Sequence, residues 1–209
     1  PDLSDNIKCG NSLIGSDFYE GKDLSLFDEE EHYKINVFDW EDEFPEIMKA
    51  GGFDAVIGNP PYVRNTSLEN SYKQYCNKYL TSYEQYDLYY IFIEKALLLL
   101  KKNGFFGFIN PIGFLNSFSG LVLRKFLLSF NILSVIDVSN DKVFKNVSTY
   151  PVIIVVKKGP KENGGKISIG NISSIRANTY SYITQENINR DDNYVLNINK
   201  NEWDYSIIE

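Results

Sequence analysis

The run Phe53-Asp54-Ala55-Val56-Ile57-Gly58 stops abruptly at Asn59-Pro60-Pro61-Tyr62. This junction constrains the chain more than any other stretch. Six residues, mostly apolar and bounded by a turn signal, read as a buried strand. Two consecutive prolines fix φ twice and remove two backbone donors. The chain must therefore make a stiff turn at the carboxyl end of a strand. In open α/β sheets, that end is where ligands bind.

The rest of the chain alternates in kind. A weak strand is expected over residues 7–11 and a helix over 69–80. From Asp87 to Lys102 the pattern is helical. Leu88, Ile91 or Phe92, Lys95 or Ala96, and Leu99 recur at three-to-four spacing, and Asn103-Gly104 is expected to cap the run. Strands are expected over 105–110, 133–138 and 150–158, with a helix over 119–129. Such alternation predicts a mostly parallel α/β sheet with helices on both faces. The last two strands are separated only by residues 139–149, which predicts an antiparallel pair and so a mixed sheet. KGPKENGGK, from Lys158 on, reads as a turn-rich linker. The tail beyond it is polar, with a short alternating stretch, KISIGNIS, that suits a small β element. The expected division is one unit over 1–158, then a linker and the start of a further region over 159–209.

Composition narrows the function. No run of eighteen apolar residues exists, so no membrane span is expected. No signal peptide is visible, and Cys9 and Cys76 stand alone, which suits a reducing, cytoplasmic setting. His32 is the only histidine and no CxxC pair occurs, so no metal site is expected. The net charge of −7 is uneven. Residues 1–60 hold four basic and fifteen acidic residues, a net −11, and residues 61–209 a net +4. FDEEE (27–31) and DWEDE (39–43) concentrate the acid and read as solvated loop. Contact with a polyanion falls to the later part or to chain outside these residues.

The tetrapeptide has a chemistry to offer. Asn59 supplies an amide oxygen as acceptor, and Tyr62 a flat aromatic face. The exocyclic amine of adenine is a poor nucleophile because its lone pair is delocalised into the ring. Two acceptors taking its two N–H hydrogens favour a more tetrahedral nitrogen and free that lone pair. The Asn59 side chain and the Pro60 carbonyl can be that pair, a case of preorganised stabilisation and positioning. The base must leave the helix stack to reach them, and stacking on an aromatic, worth roughly 1–3 kcal/mol per base, offsets part of that cost. A bare NPP turn also has a plainer reading, a rigid strand-ending loop without catalytic work.

FDAVIGNPPYVR resembles the signature of amino-methylating DNA methyltransferases, specifically N6-adenine enzymes. INVFDWEDEFPEI, DLYYIFIEKALLLLKKNGFFGFINPIGFLNS and VFKNVSTYPVIIVVKKG resemble other stretches of adenine methylases found in restriction–modification proteins, including fused restriction–methylation enzymes. The resemblance runs from about residue 6 to 158. It implies a Rossmann-like class I methyltransferase sheet, S-adenosylmethionine as cofactor and double-stranded DNA as partner. It implies that Asn59 and Pro60 accept hydrogen bonds from the target amine, and that Tyr62 and Phe144 pack on the flipped adenine. Asn11, Ser12, Pro61 and Phe92 would border the cofactor.

One family feature is missing. Relatives of this kind hold the methionine part of the cofactor with an FxGxG-type loop after the first strand, and none of Gly10, Gly15 and Gly21 has that spacing. The expectation is a partial sheet lacking its first two strands, in a fragment that binds cofactor weakly or not at all and is inactive alone. The cofactor loop upstream and a target-recognition domain downstream would belong to the same polypeptide. Two alternatives stay open. Glutamine methyltransferases acting on release factors also use an NPPY turn, and protein or RNA N-methylation is the first. A non-catalytic DNA-binding subunit is the second.

Overall fold

Six strands form one sheet in the order β1-β2-β4-β3-β5-β6. The computed structural model describes residues 6–23, 27–140, 150–188, 193–196 and 198. The strands are β1 (Phe53–Gly58), β2 (Leu100–Pro111), β3 (Asn131–Asp137), β4 (Pro151–Lys157), β5 (Lys166–Asn171) and β6 (Ser181–Thr184). β1 pairs parallel with β2, and β3 parallel with β5. The pairs β2–β4, β3–β4 and β5–β6 are antiparallel. Four of the six strands thus point one way, and the sheet is mixed as the short 139–149 connection predicts. The alternating KISIGNIS stretch supplies β5, which joins this same sheet rather than a separate element.

The helices are α1 (Glu29–Ile35), α2 (Trp40–Glu43), α3 (Pro45–Lys49), α4 (Asn70–Cys76), α5 (Leu88–Leu99), α6 (Leu121–Leu127) and α7 (Ile172–Ala177). α5 packs against β1 and β2. It is apolar nearly all round because the sheet lies on one side and residues 13–18 and 79–81 lie near the other. Ile91, Ile93 and Leu97 are fully buried, each contributing about 2 kcal/mol. Glu94 is buried too, its carboxylate accepting from Leu80 N (3.0 Å) and Thr81 N (2.8 Å). Val152, Ile154 and Val156 of β4 are fully buried on one face, and Ile132 and Val135 of β3 extend that core.

Four expectations need correction. The run 53–58 forms β1 but is not a buried strand: it is exposed or half-buried throughout, with Ile57 85% exposed, because among the described strands only β2 flanks it. The strand at 7–11 is reduced to one parallel bridge, Asn11 with Val37, closed by Asn11 N to Asn36 O (2.6 Å). The α5 helix ends at Leu99, not at Asn103-Gly104. Leu100 already has extended ψ and pairs with Phe53, and the Lys158 ammonium donates to the Leu98 and Leu100 carbonyls. The turn signal of Asn103 is real, because φ is +65° there, but it marks an irregularity inside β2. The acidic stretches are not loop. Asp28 and Glu31 form a capping box that starts α1, and WEDE is helical, though Glu29 to Glu31 are exposed.

Before β1, Gly52 has φ +114°, and a Cβ there would lie 2.2 Å from the Leu99 carbonyl oxygen. The chain can therefore cross the end of α5 closely enough to enter the sheet only with glycine at this position.

Candidate active site

The Asn59–Tyr62 turn leaves the carboxyl end of β1 beside the end of β2. Pro60 is buried, while Asn59 and Pro61 are exposed and Tyr62 is half-buried. The Tyr62 hydroxyl lies 3.1 Å from Asn59 Oδ1 and 3.2 Å from the Ile109 carbonyl oxygen. One hydroxyl proton serves both acceptors, so the turn is tied to β2 and to its own first residue at once. Burial raises the Tyr62 phenol above its ordinary value, so it stays protonated and a donor near neutral pH. Its ring meets Tyr89 edge-on at 6.0 Å, and Tyr89 meets Phe114 at 6.2 Å. Tyr89 is 1% exposed, which anchors this aromatic stack in the core.

On the other side of the turn lies a cavity of about 470 Å³. Ser12, Asn59, Pro60, Pro61 and Phe92 line it, together with Trp40, Lys95 and Phe108. The floor comes from β1 and the wall from α5, because Phe92, Lys95, Ala96 and Leu99 repeat at helical spacing along one stripe. Trp40 closes a second wall. It stacks on Phe44 at 5.8 Å and meets Phe53 edge-on at 5.7 Å, and its indole N–H donates to Ser12 O (3.0 Å). The space is mostly apolar with a few polar atoms, the usual make-up of a small-molecule site. Burial lowers the Lys95 ammonium below its ordinary value, against the pull of Glu41.

The residues expected from sequence thus divide. Ser12, Asn59, Pro60, Pro61 and Phe92 share one cavity. Tyr62 flanks it at the turn. Asn11 adjoins Ser12 but is not among the lining residues, and its amide is engaged, donating to the Tyr72 hydroxyl (2.6 Å) and accepting from Leu13 N (3.3 Å). Phe144 lies outside the described residues. Trp40 and Lys95 are additions. Lys95 was open to discovery at one helical turn from Phe92, whereas Trp40 sits in an acidic stretch that reads as solvated.

A cofactor with a flat heteroaromatic end suits the cavity. Phe92 and Pro61 offer faces of the right kind, and Ser12 and Asn59 offer polar atoms. No FxGxG-type turn for its amino-acid end occurs in the sequence. Among the described residues, no group of three or more His, Cys, Asp or Glu could hold a metal. No described helix is long and apolar enough to cross a membrane.

Comparison with known proteins gives a consistent picture. The family described as Eco57I restriction-modification methylase matches residues 2–144. The chain is similar to the type II restriction enzyme and methyltransferase RM.Eco57I of Escherichia coli, 34% identical over 168 residues, covering 78% of this chain and 15% of that protein. It is 37% identical over 147 residues to the type II methyltransferase M.HincII of Haemophilus influenzae, covering 65% of this chain and 27% of that one. The chain therefore spans well under a third of the length of these relatives. Among solved structures, the DrdV–DNA complex seen by cryo-electron microscopy gives a TM-score of 0.58 at 17% identity, covering 94% of this chain and 22% of that one. The type I restriction-modification methyltransferase subunit from Streptococcus thermophilus gives 0.55 at 19%, covering 78% and 40%. These likenesses show the fold.

Proposed function

Because the chain belongs to the Eco57I restriction-modification methylase family, we propose that this site methylates N6 of an adenine displaced from double-stranded DNA, within a restriction–modification system. The observation that carries the reading is the exposed Asn59 amide on a proline-stiffened turn at the mouth of the cavity. Phe92 and Pro61 would hold the adenine end of S-adenosylmethionine, which would supply an electrophilic methyl group when bound.

The chain's own residues then prepare the nucleophile. Asn59 Oδ1 and the Pro60 carbonyl oxygen accept the two N–H hydrogens of the target amine. That draws the nitrogen toward tetrahedral geometry and localises its lone pair. The acceptors need not move during the reaction, so little reorganisation opposes it. Pro60 is buried, which fixes its carbonyl; Tyr62 holds Asn59 through its hydroxyl and presents its ring to the base. No strong base is required, since the alkylated nitrogen is acidic and gives its proton to water. Buried Tyr89 behind Tyr62 keeps the ring from tilting away.

The amino-acid end of the cofactor and the DNA sequence to be read fall to further parts of the same polypeptide. Supporting this, the chain spans 15% of RM.Eco57I and 27% of M.HincII. Residues 1–209 by themselves are then expected to bind the cofactor weakly and to methylate nothing.

The test is transfer of isotopically labelled methyl groups to DNA by the whole protein, followed by digestion to nucleosides. Label in N6-methyladenine is the expected result. Label in N4-methylcytosine, or in N5-methylglutamine of a protein substrate, would replace the reading.

A further inference from the structure

Residues 112–120 join β2 to α6 and leave β2 at its carboxyl end, the same end of the parallel β1–β2 pair from which the Asn59–Tyr62 turn leaves. This connection is braced with unusual density. Arg124 on α6 is fully buried, and its Nη1 donates to the carbonyls of Phe114 (2.6 Å) and Ser117 (2.7 Å). Its Nε and Nη2 donate to Asn193 O, at 3.2 and 2.8 Å. Ser117 N donates to Gly113 O (2.9 Å), and Gly120 N to Ser117 Oγ (3.2 Å). Ser119 Oγ lies 3.3 Å from the Tyr90 hydroxyl. At Gly120 a Cβ would fall 2.3 Å from Phe114 O and 2.7 Å from Arg124 Nη1, so even the chain's approach to the guanidinium is close.

Within this frame two side chains are exposed, Asn116 and Phe118, and Phe118 is the apolar one. Phe118 is 68% exposed, although both serines beside it are tied down. Tyr150, also 68% exposed, stands at the same end of the sheet, because its carbonyl accepts from Ile112 N (2.8 Å) and the next residue, Pro151, pairs with Pro111. A single exposed aromatic on a surface is ordinary. An aromatic held out by a loop whose main chain is fixed on both sides is a preformed contact, and ordering it on binding costs little. Phenylalanine makes no hydrogen bond, so what meets it must present an apolar or flat surface.

We propose that Phe118 inserts into the duplex beside the displaced adenine and stacks in the gap it leaves, holding the base out of the helix. The inference rests on the methylation reading, which puts DNA at this end of the sheet. Displacing a base exposes the faces of its neighbours, and apolar wedges that occupy such gaps are a known means of holding DNA distorted. Arg124 acts at one remove, by fixing the loop that carries Phe118.

The experiment uses the whole protein and a duplex carrying 2-aminopurine at the adenine that methylation mapping identifies. This analogue fluoresces brightly when unstacked. Wild type is expected to give a strong enhancement. Phe118→Ala should lose most of it and slow methylation at subsaturating DNA by about tenfold or more, as removal of one stacking contact implies. Phe118→Trp should keep both, and neither variant should alter the thermal midpoint, since the ring is exposed. Wild-type fluorescence and rate in Phe118→Ala would overturn the proposal. So would equal losses in the Ala and Trp variants, which would show that stacking is not the contact. If wild type methylates no adenine at all, the underlying reading fails first, and that outcome is recognised before any variant is made.

Discussion

The two sides of the cavity are held by different means. The Asn59–Tyr62 turn is held locally: two prolines set its shape, β1 feeds it, and Tyr62 pins it to Asn59 three residues away and to Ile109 on the neighbouring strand. The opposite wall, Ser12 and Trp40, is held otherwise: Trp40 bonds to Ser12 O, and residues 11–15 are held by tyrosines far off in sequence. Tyr79 donates to Leu13 O (2.8 Å), the Tyr75 hydroxyl accepts from Gly15 N (2.9 Å), and Asn11 donates to Tyr72. The turn can keep its geometry if a neighbour loosens. The wall depends on α4 and the turn that follows it being folded and docked.

This contrast can be broken at several points. The largest effect is expected from Trp40→Ala. It removes the ring that closes the cavity, together with the bond to Ser12 O, and should cost about 2–4 kcal/mol of stability by chemical denaturation while raising KM for the cofactor. An unchanged KM would mean that Trp40 is no part of the ligand wall. Tyr62→Ala should lower methylation by about ten- to a hundredfold through lost stacking, with little loss of cofactor affinity by calorimetry. An equal drop in cofactor affinity would erase the separation between the two sides. Tyr79→Phe should destabilise by about 1–3 kcal/mol, because Leu13 O is left without its buried donor. Hydrogen exchange should then rise along residues 11–18 and stay unchanged along 59–62.

The smallest effect concerns pH. Burial raises the Asp17 carboxyl, but bonds from Lys78 and Tyr75 outweigh it and leave the pKa below 3.8. A carboxylate with a lowered folded value adds stability that is present above 3.8 and is lost as pH falls through the folded value. Lys78 is raised, so its share is present below 10.5 and lost above the folded value. Both groups are nearly half exposed, so the effect is small. The gap in thermal midpoint between wild type and Asp17→Asn should be present at neutral pH and close below about pH 3.8.

What could be read beforehand follows the same division. β1, the turn, α5, β2 and the antiparallel β3–β4 pair are written in local patterns: an apolar run, proline punctuation, helical spacing and a short connection. Ser12, Asn59, Pro60, Pro61 and Phe92 line one cavity. The wall was poorly legible, because nothing near Leu13 or Gly15 announces a tyrosine sixty or more residues away. The acidic stretches misled for a related reason. Asp28-x-x-Glu31 is a helix start, yet charge density alone argues for solvated loop. Trp40 lies inside such a stretch, where neighbouring charge masks an aromatic that faces the cavity. α5 ends three residues before Lys102 because Leu100 is drawn into the sheet by Phe53, a contact that local pattern does not contain.

The acceptor role of Asn59 is the centre of the account. The direct measurement compares methyl transfer to DNA by the whole protein with Asn59, with Asn59→Asp and with Asn59→Ala, alongside cofactor and DNA binding. Aspartate keeps an oxygen at the acceptor position and should retain a substantial part of the rate. Alanine removes it and should lower kcat by about 10²–10³-fold with both affinities and the fold intact. Transfer by Asn59→Ala at the wild-type rate would contradict the account.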